Sequence, residues 1–457
     1  MRDRSGGAAN AGGVWLCRQL PPRGTPVVDE IIVVGGKPLA GHVRVGGSKN
    51  GTLPLLAAAL LVDGVTVVDN VPDIEDVGTM IEMLRALGAK CDFIGPARLR
   101  IDARNITSLA PPYDLVRKMR ASFYVAGPLL ARFGGCEVPL PGGCVIGHRP
   151  VDYHIQGFKA LGAEVVERGG VMRAHASKLR GTRVFMDPRV RSVGATVNIM
   201  LAAVLAEGTT ILENASREPE VVACQEFLKN AGAKIEGIGT ATLVIHGVDR
   251  LRETEVRAIP DRMEAGTFLY AVATAGGDVT VEDCRPEYME IVLDVLRKAG
   301  AAITSGPDWV RLRAVGRPLP VDIITAPYPG YPTDLQPNHG VLAAVARGTT
   351  IIEETIFDAR YNYTDELARM GAHIRIVGSA AIIKGQPRLY GAPVEATDIR
   401  AGAALILAGL VAEGQTEIAG SSFIDRGYEN IEGKLRGIGA EISRRSNCQS
   451  RKALCLA

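Results

Sequence analysis

One cysteine of this chain stands in a setting that suits reactivity. Cys144 lies in the segment PLPGGCVIGHRPVD, which runs from Pro139 to Asp152. Proline and glycine at that density predict an exposed loop, not a core strand. His148 and Arg149 beside it favour the thiolate, the reactive form of the side chain. Cys91, Cys136, Cys224 and Cys284 sit in apolar strand or helix runs and read as buried small hydrophobes.

A second group of residues could bind anions. Six apolar runs each open on charged or polar residues: Lys49-Asn50, Arg120, Ser192-Val193-Gly194, Asp261-Arg262, Thr333-Asp334, and Asp398 with Arg400. A helix N-terminus leaves N–H groups unpaired and carries roughly half a positive charge. If the runs are helices pointing the same way, their ends form an anion site, and Lys49, Arg120, Arg262 and Arg400 reinforce it. Taken singly, Ser192, Asp334 and Asp398 are as well read as N-caps and the arginines as solvated charges. Four cations at equivalent places in repeated units favour the binding reading.

The repeat itself is marked by a doublet. Gly-Ala occurs at Gly88-Ala89, Gly162-Ala163, Gly232-Ala233, Gly300-Ala301, Gly371-Ala372 and Gly439-Ala440, at intervals of 74, 70, 68, 71 and 68 residues. Each doublet follows the same order of parts: an apolar run of small residues, a Gly-led β-branched strand, a polar loop and an amphipathic stretch. The runs, such as LPLLAAALLVDG from Leu53, are apolar all round, which predicts helices buried on every side. The amphipathic stretches place Val77, Met80, Ile81, Leu84 and Leu87 on one stripe, the spacing of a surface helix. Arg or Lys near the end of that stretch and Gly after it signal the stop. The expected unit is strand-helix-strand-helix-strand, and six of them make an α/β protein.

Composition narrows the function. The 457 residues allow two or three domains with full cores, and 47% hydrophobic content fits a packed globule. Basic and acidic residues number 52 and 50, a net charge of +2, and no basic run is interleaved with aromatics, so nucleic acid is not an expected partner. The apolar runs are too short to span a bilayer, so no membrane is expected. Eight cysteines without metal-type or disulfide spacing, and seven scattered histidines, point to a reducing cytoplasm and no metal site. Residues 1–28 and 444–457 lie outside the repeat; the first is expected to be a disordered extension and the second a basic tail.

The segments KNGTLPLLAAALL, PYDLVRKMRAS, LPGGCVIGHRPVD, SVGATVNIM, REPE, DRMEAGTFL, YPTDLQ, ATDIRA and IDRGYENI occur in order between about Ile31 and Ile442. Together they closely resemble the UDP-N-acetylglucosamine 1-carboxyvinyltransferase family of enolpyruvyl transferases. The cysteine loop is the most specific piece, because the related shikimate-pathway enzymes lack it. Asp358 and the lead Met186-Asp187-Pro188-Arg189 depart from the family pattern.

The resemblance implies two inside-out α/β barrel domains of three repeats each. One would span 49–258, and the other 29–48 plus 259–443. It implies transfer of the carboxyvinyl group of phosphoenolpyruvate to the 3-hydroxyl of UDP-N-acetylglucosamine, with phosphate released and no cofactor, in peptidoglycan synthesis. A monomer is expected. Lys49, Arg120, Arg149, Arg360, Arg400 and Arg426 match the cations around phosphoenolpyruvate. Cys144 matches the acid that protonates the methylene carbon, and Asp334 the acceptor of the hydroxyl proton, with Lys49 and Arg426 counted in the catalytic set. Asn50, Arg120, Arg149, Pro150, Val151, Asp152, Tyr153, Ser192, Val193, Gly194, Asp334 and Ile356 match the positions that bind the nucleotide sugar, and Asp398 is counted with the substrate-binding residues. Because position 144 is Cys, inactivation by the epoxide fosfomycin is expected. The alternatives are an enolpyruvyl transferase for another hydroxyl, such as that of shikimate 3-phosphate, or a silent paralogue that only binds nucleotide sugar.

Overall fold

The computed structural model describes residues 28–141, 151–187 and 191–447. In it the six doublets share one geometry. Gly88, Gly162, Gly232, Gly300, Gly371 and Gly439 all lie in the left-handed region, with φ between 93° and 112°. Each follows a surface helix, and the N–H of the next alanine returns to a carbonyl five residues back, as from Ala89 to Leu84 and from Ala440 to Leu435. Glycine reaches this conformation without steric cost, so the doublet is the stop of the surface helix.

Six apolar helices lie at the centre: α1 (Lys49–Ala58), α2 (Ala126–Phe133), α3 (Val193–Ala203), α4 (Arg262–Ala275), α5 (Gln336–Val345) and α6 (Ile399–Val411). Every residue of α4 from Arg262 to Thr274 is buried, as is every residue of α6 from Arg400 to Leu410. Such helices have no polar face, and burial of each Leu or Ile side chain contributes about 1.5–3 kcal/mol. The surface helix Glu75–Leu87 instead buries Val77, Met80, Ile81, Met83, Leu84 and Leu87 and exposes its other side.

Three expectations need correction. Arg120 does not open an α-helix: residues Arg120–Val125 form a 3-10 segment, and α2 begins at Ala126. Pro128 lacks an N–H and its ring crowds the carbonyl four residues back, which disfavours an α-helix through Tyr124. Likewise Thr333–Leu335 is a 3-10 turn ahead of α5, whose second residue is Pro337. The unit also has one strand more than expected, because the surface helix is followed by a hairpin such as Lys90–Gly95 with Arg98–Asp102. Among the described residues five sheets have four strands and one has three. Strands such as Trp309–Ala314 alternate buried and exposed residues, so one face packs inward. Among the described residues no sheet closes on itself.

Two hydrophobic clusters result. One gathers residues between Leu53 and Ala258; the other gathers Ile31 to Val45 and Met263 to Ile442. The chain passes between them twice, and the two passages touch. Ser48 N–H donates to Ile259 O at 2.7 Å, and Asp261 N–H to Gly46 O at 3.0 Å. The strand leading to α1, Leu39–Arg44, pairs in parallel with Gly277–Glu282 of the second cluster. The strand leading to α4, Thr254–Arg257, pairs with Val65–Asp69 of the first. The first strand, Val28–Val34, lies between Gln415–Ala419 and Glu441–Asn447 and so completes the last unit.

Candidate active site

Helix mouths meet in two places. At the first, the Asp261 carboxylate caps α4 through Met263 N and Glu264 N, at 2.7 and 3.0 Å, and also accepts from Lys49 N at 3.0 Å. One side chain thus satisfies orphan donors of α4 and of α1. The Lys49 ammonium extends to Asp76 Oδ2 at 3.0 Å, and Arg426 Nε reaches Asp76 Oδ1 at 2.9 Å. Asp76 is buried, in the first turn of the surface helix Glu75–Leu87. Burial pushes its carboxyl up, but Lys49 and Arg426 outweigh burial and hold it below the usual range. Two cations 377 positions apart in the chain (49 and 426) are thereby joined across the two clusters.

The second meeting point is Asp334. Its Oδ1 accepts from Arg360 Nη2 at 2.8 Å, and its Oδ2 from Arg400 Nη2 and Nε at 2.9 and 3.2 Å. Both arginines are buried, and Arg400 also donates to the Tyr428 hydroxyl at 3.0 Å. Asp398 caps α6 through Arg400 N and Ala401 N, which fixes the backbone carrying Arg400. Gly266 of α4 packs closely here: a Cβ would lie 2.4 Å from Leu335 Cδ1, so a larger residue would push aside the buried Leu335 side chain on the turn that bears Asp334.

The remaining candidates spread along the first cluster. Ser192 caps α3 by accepting from Ala195 N at 3.2 Å, leaving Val193 and Gly194 at the helix start. A Cβ on Gly194 would stand 3.1 Å from His154 Nε2, so glycine lets the His154 ring pack there. Val151 O accepts from His154 N and Ile155 N and starts the surface helix Asp152–Ala160, where Asp152 is exposed and Tyr153 half-buried. Asn50 is the second residue of α1, and Ile356 N donates to Glu354 Oε1 at 2.8 Å. Arg120 lies near enough to disfavour a charge on His154. Cys144, Arg149, Pro150 and His148 lie outside the described residues. The structure therefore unites Lys49 with Arg426, and Asp334 with Arg360 and Arg400. Among the described residues no group of His, Cys, Asp and Glu could hold a metal. No described helix is long and apolar enough to cross a membrane.

Three carboxylates were not legible as site residues: Asp76, Glu220 and Glu354. Glu220 accepts from Arg262 Nε at 2.9 Å and Nη2 at 3.3 Å, so the cation expected to face a ligand is already paired across the two clusters. Arg262 also lies over the Tyr328 ring, 5.4 Å from its centre.

Two buried histidines set a pH limit. Burial pushes His154 down to about 3, with Arg120 adding to the effect, and His339 down to about 4, each from an ordinary 6.5. His339 Nε2 faces the Val321 carbonyl at 2.7 Å and so donates; its Nδ1 accepts from the Tyr270 hydroxyl at 3.1 Å. A folded pKa below the unfolded one gives stability that is present above 6.5 and lost as pH falls through the folded value. Each histidine should therefore remove up to about 1.4 kcal/mol per pH unit as pH falls from 6.5 toward 4. Urea unfolding at pH 7, 6, 5 and 4.5 checks this, and a flat midpoint would count against it.

The family profile of EPSP synthase (3-phosphoshikimate 1-carboxyvinyltransferase) matches residues 33–435. A relative from Halorhodospira halophila is 48% identical over 417 residues, covering 91% of this chain and 99% of its own length. The chain belongs to the enolpyruvyl transferase family. That relative, and one from Dichelobacter nodosus at 49% identity over 91% of this chain and 99% of its own length, are each named UDP-N-acetylglucosamine 1-carboxyvinyltransferase. Among solved enolpyruvyl transferases, NikO of Streptomyces tendae superposes with a TM-score of 0.82 at 26% identity, over 92% of this chain and all of its own. An EPSP synthase from Acinetobacter baumannii shares the fold, with a TM-score of 0.70 at 18% identity, over 91% and 100%. The inside-out arrangement of helices within and sheets without is thus the enolpyruvyl transferase fold.

Proposed function

We propose that this enolpyruvyl transferase moves the carboxyvinyl group of phosphoenolpyruvate to the 3-hydroxyl of UDP-N-acetylglucosamine and releases phosphate. Near-full-length relatives at 47–49% identity carry that name, which favours this acceptor over shikimate 3-phosphate. The observation that carries the chemistry is Asp334 fixed between two buried arginines, at 2.8 and 2.9 Å, on the turn that opens α5. Its carboxylate takes the proton of the attacking hydroxyl as oxygen bonds to carbon 2 of phosphoenolpyruvate. Cys144, by the family resemblance, protonates carbon 3; carbon 3 then returns a proton as the carbon–oxygen bond to phosphate breaks. Acid and base working on one substrate pair typically contribute 10²–10⁴-fold each. Lys49, Arg426, Arg360 and Arg400 supply the charge that a phosphate and a carboxylate require.

In this reading the two clusters are two domains, 49–258 and 29–48 with 259–443, and the substrates bind along their seam. The protein is a cytoplasmic monomer serving peptidoglycan synthesis, hence cell shape and division. Phosphate release from phosphoenolpyruvate plus UDP-N-acetylglucosamine tests the reading. Release with shikimate 3-phosphate instead, or none with either acceptor, would overturn it.

The Asp76 triad gives a further expectation. Lys49→Ala or Arg426→Ala leaves Asp76 still paired with the other cation, so the fold should survive. Each should raise KM for phosphoenolpyruvate by about 10–100-fold, the loss of roughly one charge-assisted hydrogen bond. Steady-state kinetics and a melting curve check both halves. A collapsed melting temperature would make the residue structural.

A further inference from the structure

Glu354 is buried and accepts from four donors. Its Oε1 takes Thr325 Oγ1 at 2.9 Å, Ile356 N at 2.8 Å and Phe357 N at 3.2 Å. Its Oε2 takes Thr333 Oγ1 at 2.9 Å. Two arms leave it and meet again at Asp334. One runs through Thr333, the residue before Asp334. The other runs through the loop Ile356-Phe357 to Arg360, which packs by Phe357 with its guanidinium 5.9 Å from the ring centre and donates to Asp334 at 2.8 Å. A second brace joins Thr325 to the same loop, by Thr355 N at 2.9 Å and Thr355 Oγ1 at 2.6 Å.

We infer that Glu354 is the positioning residue that ties the acceptor-contacting loop at Ile356 to the proton-accepting turn at Asp334, so that seating the nucleotide sugar and aiming the carboxylate are one event. This rests on the function proposed above. The charge of Glu354 is needed because three donors converge on a single oxygen, which an ionised carboxylate accepts more strongly than an amide. A plain loop-closing role would tolerate loss of Thr333's hydroxyl; a coupling role does not. Misplacement of a reacting group by about 1 Å costs on the order of 10²-fold.

The test uses Glu354→Ala, Glu354→Gln and Thr333→Val in the full chain. Glu354→Ala should lower kcat about 100-fold and raise KM for UDP-N-acetylglucosamine about tenfold, with Glu354→Gln recovering part of both. Thr333→Val cuts only the arm to Asp334, so kcat should fall about tenfold with that KM unchanged. Adding Thr333→Val to Asp334→Asn should cost nothing more, since the carboxylate it aims is already gone. Multiplicative losses in that double variant, or wild-type kcat in Glu354→Ala, would overturn the inference. Hydrogen exchange judges the anchoring apart from turnover. Glu354→Ala should speed exchange across residues 331–336 and 354–360 together, and unchanged exchange in either segment counts against it even if the wild type proves silent with both acceptors.

Discussion

Asp334→Asn should reduce phosphate release by about 10²–10⁴-fold while the protein still folds and still binds UDP-N-acetylglucosamine. The substitution keeps the shape and one acceptor oxygen, so Arg360 or Arg400 retains a hydrogen bond. What disappears is the group able to take a proton and the negative charge facing two buried guanidiniums. Burial works against the charge of Arg400, yet Tyr428, Asp334 and Asp261 outweigh it and raise the Arg400 pKa. With Asp334 neutral, part of that support goes, and some stability should go with it. An anion should then replace it: inorganic phosphate is expected to raise the melting temperature of Asp334→Asn more than that of the wild type. Single-turnover kinetics separates chemistry from binding. Turnover within tenfold of wild type would remove Asp334 from the mechanism and leave it as an ordinary helix-start residue.

The parts of this arrangement that could be read from the chain are those encoded locally. The Gly-Ala doublet encodes a left-handed residue, and a left-handed residue ends a helix wherever it occurs, so six surface helices and the unit length followed from it. The all-round apolar runs likewise encode burial. The additional hairpin strand was not visible because its residues alternate charged and apolar over only five positions, as in Arg98-Leu99-Arg100-Ile101-Asp102. The exchange of lead strands between the two clusters was hidden for a different reason. Nothing in Leu39–Arg44 specifies that its ladder partner lies at Gly277–Glu282 and not nearer in sequence.

The site divided along the same line. Cations at helix mouths stand out against an apolar run, so Lys49, Arg400 and Arg262 were visible. Their carboxylates were not. Glu75 and Asp76, or Pro219 and Glu220, at the start of an amphipathic helix look like residues that complement its dipole. Only the folded chain shows Asp76 and Glu220 turned toward cations of the other cluster. Arg262 illustrates the consequence. A helix-mouth arginine suggested ligand binding, whereas its charge is matched one-to-one by Glu220, unlike the two cations that share Asp76 and the two that share Asp334.

That pair supports the largest stability effect. Glu220 and Arg262 are both buried, and they join the two hydrophobic clusters. Burial opposes the charge of Arg262, but Glu220 and then Glu218 and Asp334 outweigh it, so the arginine stays ionised. Removing only the carboxylate, as in Glu220→Leu, leaves a guanidinium under Tyr328 with its principal partner gone. A buried pair broken on one side typically costs about 3–5 kcal/mol. Replacing both members, Glu220→Leu with Arg262→Met, removes the stranded charge together with its partner and should recover most of that loss. Urea unfolding of the two single variants and the double variant closes the cycle. Glu218 limits the damage in Glu220→Leu, because it already feels the charge of Arg262 while burial raises its own pKa. Adding Glu218→Gln to Glu220→Leu should therefore deepen the loss. If Glu220→Leu unfolds with the wild-type midpoint, the pair is only a surface-like contact, and the coupling of the two clusters must lie in the Lys49–Asp76–Arg426 triad and the crossing strands alone.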